Sequence, residues 1–214
     1  MMTATLQDGS RVAPIVGDFA EESRARAGLY GVLAHLFISA PGRELLKAVA
    51  DSADLVSADT GSPLASAWRN LCDAAGRADP VVVRDEFESV FVSPGRPEVS
   101  LYASSYMSGA RRGHLLAELR EDLSLAGYAR AASSTEYEDH LSAICEVMRG
   151  LVADEPDDDL AHGKQRDFFR NYLAPWYGAA CDAINQSDRT DFYRLVACLA
   201  SAFFTNESEY FELA

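Results

Sequence analysis

Asp139 and His140 are the neighbouring residues in this chain best suited to chemistry. They follow Thr135 and Glu138, a Thr-x-x-Glu spacing that opens helices, so the pair is expected in a first helical turn, where both side chains can face a groove rather than the core. The positive end of a helix favours the carboxylate and disfavours a charged imidazole, while the carboxylate pulls the imidazole the other way. Such a pair can hold polar groups of a ligand, and it can equally cap the helix. As a catalytic base, His140 lacks a nucleophile. Cys145 lies five residues on, which turns it about 140° away around a helix. Glu136, Glu138, Asp139 and His140 do not make H-E-x-x-H, and no second histidine follows at ligand spacing. G-x-G-x-x-G, Walker A and G-x-S-x-G sequences are absent. No catalytic residue and no metal site is assigned.

A second cluster is built for contact rather than reaction. Phe91, Pro97, Glu98, Ser100, Leu101, Tyr102 and Tyr106 gather aromatic and stiff residues where Pro94, Gly95, Pro97, Gly109 and Gly113 break the helical pattern. A groove with that lining suits an apolar peptide; the alternative is that the aromatics close the core over a loop. The acidic run from Asp154 to Asp159 reads as a solvated turn or as a docking strip for a basic peptide. Arg111 and Arg112 precede no apolar stretch and are not a twin-arginine signal of this chain.

The elements around these clusters are helical. Asp18 and Glu21 have capping-box spacing before Leu29, Val32, Leu33, Leu36 and Phe37, and Pro41 ends that helix. Leu45, Leu46 and Val49 belong to a second. Ser62-Pro63 and Asp79-Pro80 each place a cap before a proline, opening helices that turn Leu64, Trp68, Leu71 and Cys72, then Val83, Phe87, Val90 and Phe91, inward. Leu115, Leu116, Leu119 and Leu123 restart the period up to Gly127. Further inward stripes run through Leu141 to Val152, Phe168 to Leu173, Ala180 to Ile184 and Phe192 to Phe203. Val81-Val82-Val83 is the one segment that also fits a strand. The expected fold class is all-α, with about nine to eleven helices in a single compact helical domain or two docked helical halves. The expected divisions are a tail over 1–17, a helical half over 18–91, a hinge or groove loop over 92–112 and a second half over 113–214.

Composition narrows the partners. The 214 residues carry a net charge of −14, which argues against nucleic acid and favours cationic ligands. A solvated acidic surface would give the same balance. No stretch reaches the roughly 18 apolar residues of a membrane span, and residues 1–17 lack the basic and apolar regions of a leader, so they read as a frayed tail on a cytoplasmic protein. Cys72, Cys145, Cys181 and Cys198 have no C-x-x-C spacing and fall in apolar stripes, so buried free thiols are expected.

Taken in order, several of these segments resemble the TorD/DmsD family of redox-enzyme maturation chaperones. The resemblance rests on Glu86-Phe87 with Val90-Phe91, Pro97 with Ser100 and Tyr102, and Glu136 with Glu138-Asp139-His140. Leu173 with Pro175-Trp176, Phe192-Tyr193-Arg194, and Arg26, Tyr30, Leu33 and Phe37 in the first helix agree with it. Val90 stands where the family has leucine, and Glu98-Val99 replaces an aromatic and acidic pair. The resemblance implies a cytoplasmic, all-helical chaperone without catalysis or a cofactor of its own. Its partners would be the catalytic subunit of a molybdopterin oxidoreductase and the twin-arginine signal peptide of that subunit, held until the cofactor is inserted. Phe91, Pro97, Glu98, Ser100, Leu101, Tyr102, Asp139 and His140 are the implied peptide-binding residues. A monomer or a domain-swapped dimer is compatible with it. A nitrate-reductase-type assembly chaperone for a non-exported enzyme is the alternative within the fold; a small helical enzyme or nucleotide-binding protein is the alternative outside it.

Overall fold

Proline starts two of the helices as the sequence predicts, and one of them has the expected side-chain cap while Ser62 makes no capping hydrogen bond. A computed structural model describes residues 16–53, 61–92, 96–129, 136–153 and 159–213, with side chains from residue 21 onward. Helix α1 (Val16–Ile38) stops short of Pro41, and α2 (Arg43–Ala50) follows. Helix α3 (Pro63–Ala75) has Pro63 at its first position, and α4 (Pro80–Phe87) has Asp79 as its cap, Oδ1 accepting from Val81 N at 2.9 Å. Proline costs nothing there because the first-turn N–H groups have no partner within the helix. Val81 and Val82 are exposed on α4 and Val83 is buried, so the strand-like triplet is helical.

Helix α4 runs on into a π-helical turn, Glu88–Val92, whose wider winding carries both Val90 and Phe91 into the core. After the loop and a 3₁₀ turn (Ala103–Ser105) come α5 (Gly109–Leu125), α6 (Leu141–Ala153), α7 (Asp159–Tyr172), α8 (Tyr177–Gln186) and α9 (Phe192–Leu213). Gly127, at φ 81°, takes the left-handed conformation just past the end of α5, where a side chain would be strained. The described residues thus form an all-α fold of nine α-helices, with no strand beyond an isolated bridge between Tyr102 and His140. None of these helices is long and apolar enough to cross a membrane.

The buried residues form one cluster that draws from Ala27 to Phe211 and includes both sides of the 92–112 segment. Helix α1 lies chiefly on α6, while α9 is covered by α3 and α8. Aromatic rings knit the crossing: Phe91 meets Phe37, Phe87 and Tyr193 with centroids 6.4, 5.3 and 5.1 Å apart.

Several sequence expectations need correction or fall elsewhere. Helix α1 already begins at Val16, so Asp18 lies inside it rather than capping it and residues 16 and 17 are not tail. Helix α6 begins at Leu141, six residues after Thr135, so the Thr135/Glu138 spacing does not cap it; Thr135 itself lies outside the described residues. Cys198 is exposed, unlike Cys72, Cys145 and Cys181, because it sits on the outer face of α9 beside Asn185. Residues 1–15 of the expected tail and 154–158 of the acidic run lie outside the described residues.

Two carboxylates, the buried Glu207 and the half-buried Glu86, hold the helices to one another. Arg26 on α1 donates through Nε and Nη2 to the two oxygens of Glu207 on α9, at 2.7 and 2.8 Å, and Tyr30 Oη donates to the same carboxylate at 2.9 Å. Gln165 on α7 accepts from Arg26 and donates to Leu151 O, tying in α6. Glu86, on α4, receives the N–H groups of Asp191, Phe192 and Tyr193 at 3.0, 3.1 and 2.7 Å, which closes the N-terminus of α9 with a charge of the right sign.

Candidate functional site

The Asp-His pair is a clamp. Leu141 N donates to Leu101 O at 2.8 Å and Ala103 N donates to Asp139 O at 3.0 Å, the two bonds of the bridge between Tyr102 and His140. Ser142 N, the second N–H of α6, donates to His140 Nδ1 at 3.2 Å, so His140 caps the helix with its own ring. Asp139 Oδ2 accepts from Ser104 N at 3.0 Å and thereby caps the 3₁₀ turn of the opposite segment. Asp139 is 1% and His140 5% exposed. The expectation that both side chains face a groove is therefore corrected: the N–H groups that need satisfying lie inward, and the pair turns toward them. Burial pushes the imidazole below its usual value, with Glu136 and Asp139 pulling the other way. Accepting at Nδ1 leaves the neutral ring's proton on Nε2. Tyr102 packs on this ring at 4.9 Å, edge to face.

The other predicted residues scatter between core and surface. Phe91 and Leu101 are buried. Ser100 serves the loop, its Oγ 2.6 Å from Ser105 Oγ and its carbonyl accepting from Tyr106 Oη. Tyr106 stacks on Trp176 at 5.6 Å, closing the core over the loop. Pro97 is half-buried, and Glu98 is exposed and paired with Arg189 Nε at 3.2 Å.

The concave surface lies beside the clamp. A groove of about 500 Å³ runs between the C-terminal end of α1, the end of α5 and α6. Its floor is apolar, with Ala34 and Ile38 from α1, Leu123 from α5, and Ala143 and Val147 from α6. Tyr128 lies against Gly150, where an added Cβ would come within 2.6 Å of its hydroxyl, and Arg149 crosses Gly31 at 3.0 Å from the equivalent point. Gly150 thus lets Tyr128, just beyond α5, lie close to α6, and Gly31 lets Arg149 of α6 lie close to α1. Glu136, Glu138 and Glu146 form an acidic rim.

None of the eight predicted residues lines this groove among the described residues, yet the clamp adjoins it. Tyr102 Oη donates to Glu136, a rim residue, and Ser142 lies two residues beyond His140. Glu136 and Glu138 stood in the sequence motif, but the floor did not. Ile38 and Val147 come from helices more than a hundred residues apart, and only the exposure of Ile38 at a helix end could have hinted at it.

The arrangement is an apolar floor beneath an acidic rim. No group of three or more potential metal-ligating side chains occurs among the described residues. Burial pushes the Cys181 thiol up to about 12 and raises that of Cys145 further, the opposite of an activated nucleophile. Among curated proteins, none matches the chain. Residues 57–182 match the family described as nitrate reductase delta subunit, a span that holds the Glu86, Ser100-to-Tyr102 and Asp139-His140 segments but not Arg26 or Glu207. With well over half its length in that match, the chain belongs to the nitrate reductase delta subunit family, the NarJ/TorD-type redox-enzyme maturation chaperones that assemble molybdoenzymes.

Proposed function

We propose that this chaperone holds the N-terminal targeting segment of a molybdoenzyme catalytic subunit in the groove between α1, α5 and α6, in the cytoplasm, until the cofactor is inserted. The observation that carries the reading is the apolar floor beneath three carboxylates, which complements a peptide with a cationic start and an apolar continuation. The clamp of Tyr102, Asp139 and His140 fixes the groove's end through Glu136. Affinity must permit release, so a Kd from about 1 μM to tens of nM, roughly −8 to −11 kcal/mol, is expected. Apolar contact supplies most of it, and the rim governs encounter and choice of partner.

Titration of a labelled twin-arginine signal peptide against the wild type and Val147→Glu tests the reading. A charge in the floor should weaken binding more than tenfold while the helical spectrum and melt are retained. Equal affinity for both proteins would remove the groove from the site. The family's description favours a second reading, in which the client is a nitrate-reductase-type enzyme that is not exported. The N-terminal sequence of the catalytic subunit that co-purifies with the chaperone separates the two.

A further inference from the structure

Each rim carboxylate already has a donor. Glu136 takes the Tyr102 hydroxyl, Glu138 takes Arg120 Nη2 at 2.9 Å, and Glu146 takes Arg149 Nε at 2.8 Å. The Arg120–Glu138 pair differs from an ordinary surface pair in one respect. The Glu138 side chain is 12% exposed and Arg120 covers it with a side chain that is itself half in solvent. Arg149 lies close against Gly31 on α1, where the missing Cβ leaves it room.

Resting on the reading above, we propose that Arg120 and Arg149 are stand-ins for the arginine pair of the client peptide, displaced from Glu138 and Glu146 when it binds. Arg120 keeps the nearly covered Glu138 carboxylate from losing its hydrogen bond, which would be costly, while Arg149 pairs the more exposed Glu146. Exchange of one guanidinium for another leaves that carboxylate desolvated and paired before and after, so little free energy is lost at the rim. A peptide lacking arginine cannot make the exchange and gains only the apolar floor. A lysine offers a point charge without the planar fork and replaces the resident group poorly. The exchange therefore adds little affinity, which suits a partner that must be released, and the resident arginines hold down the wild-type preference for an arginine peptide.

The test measures Kd for a twin-arginine peptide and its Gln-Gln counterpart against wild type, Arg120→Gln, Arg149→Gln and Arg84→Gln. Arg84 is an exposed α4 residue outside the groove lining, and its loss changes net charge by the same amount. Removing either stand-in should tighten the arginine peptide about two- to fivefold beyond the Arg84→Gln control, the worth of a half-exposed ion pair, and leave the Gln-Gln peptide unchanged. Glu138→Gln should abolish the preference for arginine at that seat. If Arg120→Gln and Arg149→Gln match the control or weaken the arginine peptide, displacement is wrong although the groove stands. If the wild type binds neither peptide, the groove reading and the displacement fall together.

Discussion

Replacing Glu86 by alanine should unfold the protein more easily through a helix that Glu86 does not belong to. Its carboxylate accepts three backbone N–H groups, from Asp191, Phe192 and Tyr193, at the start of α9. A helix-capping side chain is worth about 0.5–2 kcal/mol, and a carboxylate at a partly buried helix N-terminus adds about 1–2 kcal/mol through the dipole. These overlap because the same N–H groups carry both, so Glu86→Ala should cost about 2–3 kcal/mol, or roughly 4–12 °C in Tm for a chain of this length. Glu86→Gln keeps an acceptor oxygen and loses the charge, so about half the cost should return. Urea unfolding followed by circular dichroism at neutral pH gives the midpoint and slope. The midpoint should fall in the order wild type, Gln, Ala with an unchanged slope. A loss below about 0.5 kcal/mol for alanine, within the range of an ordinary surface change, would refute the view that α9 is held at its start by this residue.

Removing one member of the Arg26–Glu207 pair leaves a buried charge unpaired, so Arg26→Met or Glu207→Gln should each cost about 3–5 kcal/mol, while Arg26→Met with Glu207→Leu should cost less than their sum; additive losses in urea melts would show that the pair is not coupled. The neutral His140 ring is favoured by folding, so the unfolded chain binds its proton first as pH falls below the usual histidine value. Stability should be intact above about 6.5 and decline as pH drops through the lower folded value, and a His140 titration by NMR at or above the usual value would contradict this. Among the four thiols, native protein should expose only Cys198 to a disulfide reagent; early labelling of Cys145 or Cys181 would show that the α6 and α8 packing opens.

Much of the helical architecture follows from local chemistry. Ser62-Pro63, Asp79-Pro80, the pattern break before α5 and Gly127 act within a turn of the chain, so their meaning survives without a partner. The inward stripes of α3, α6 and α9 are legible for the same reason, because a helix repeats its buried face at a fixed period. The motif segments at Glu86, at Ser100 to Tyr102 and at Asp139-His140 were also visible, but their roles were not. A carboxylate beside a helix can serve a ligand, its own helix or a distant one. Only tertiary structure decided that Glu86 closes α9 and that Asp139 closes a turn some thirty-five positions earlier. It also placed an apolar groove with an acidic rim at the crossing of α1, α5 and α6. The shape of a groove depends on how helices cross and on side chains such as Arg149 over Gly31 and Tyr128 over Gly150, which no single segment specifies.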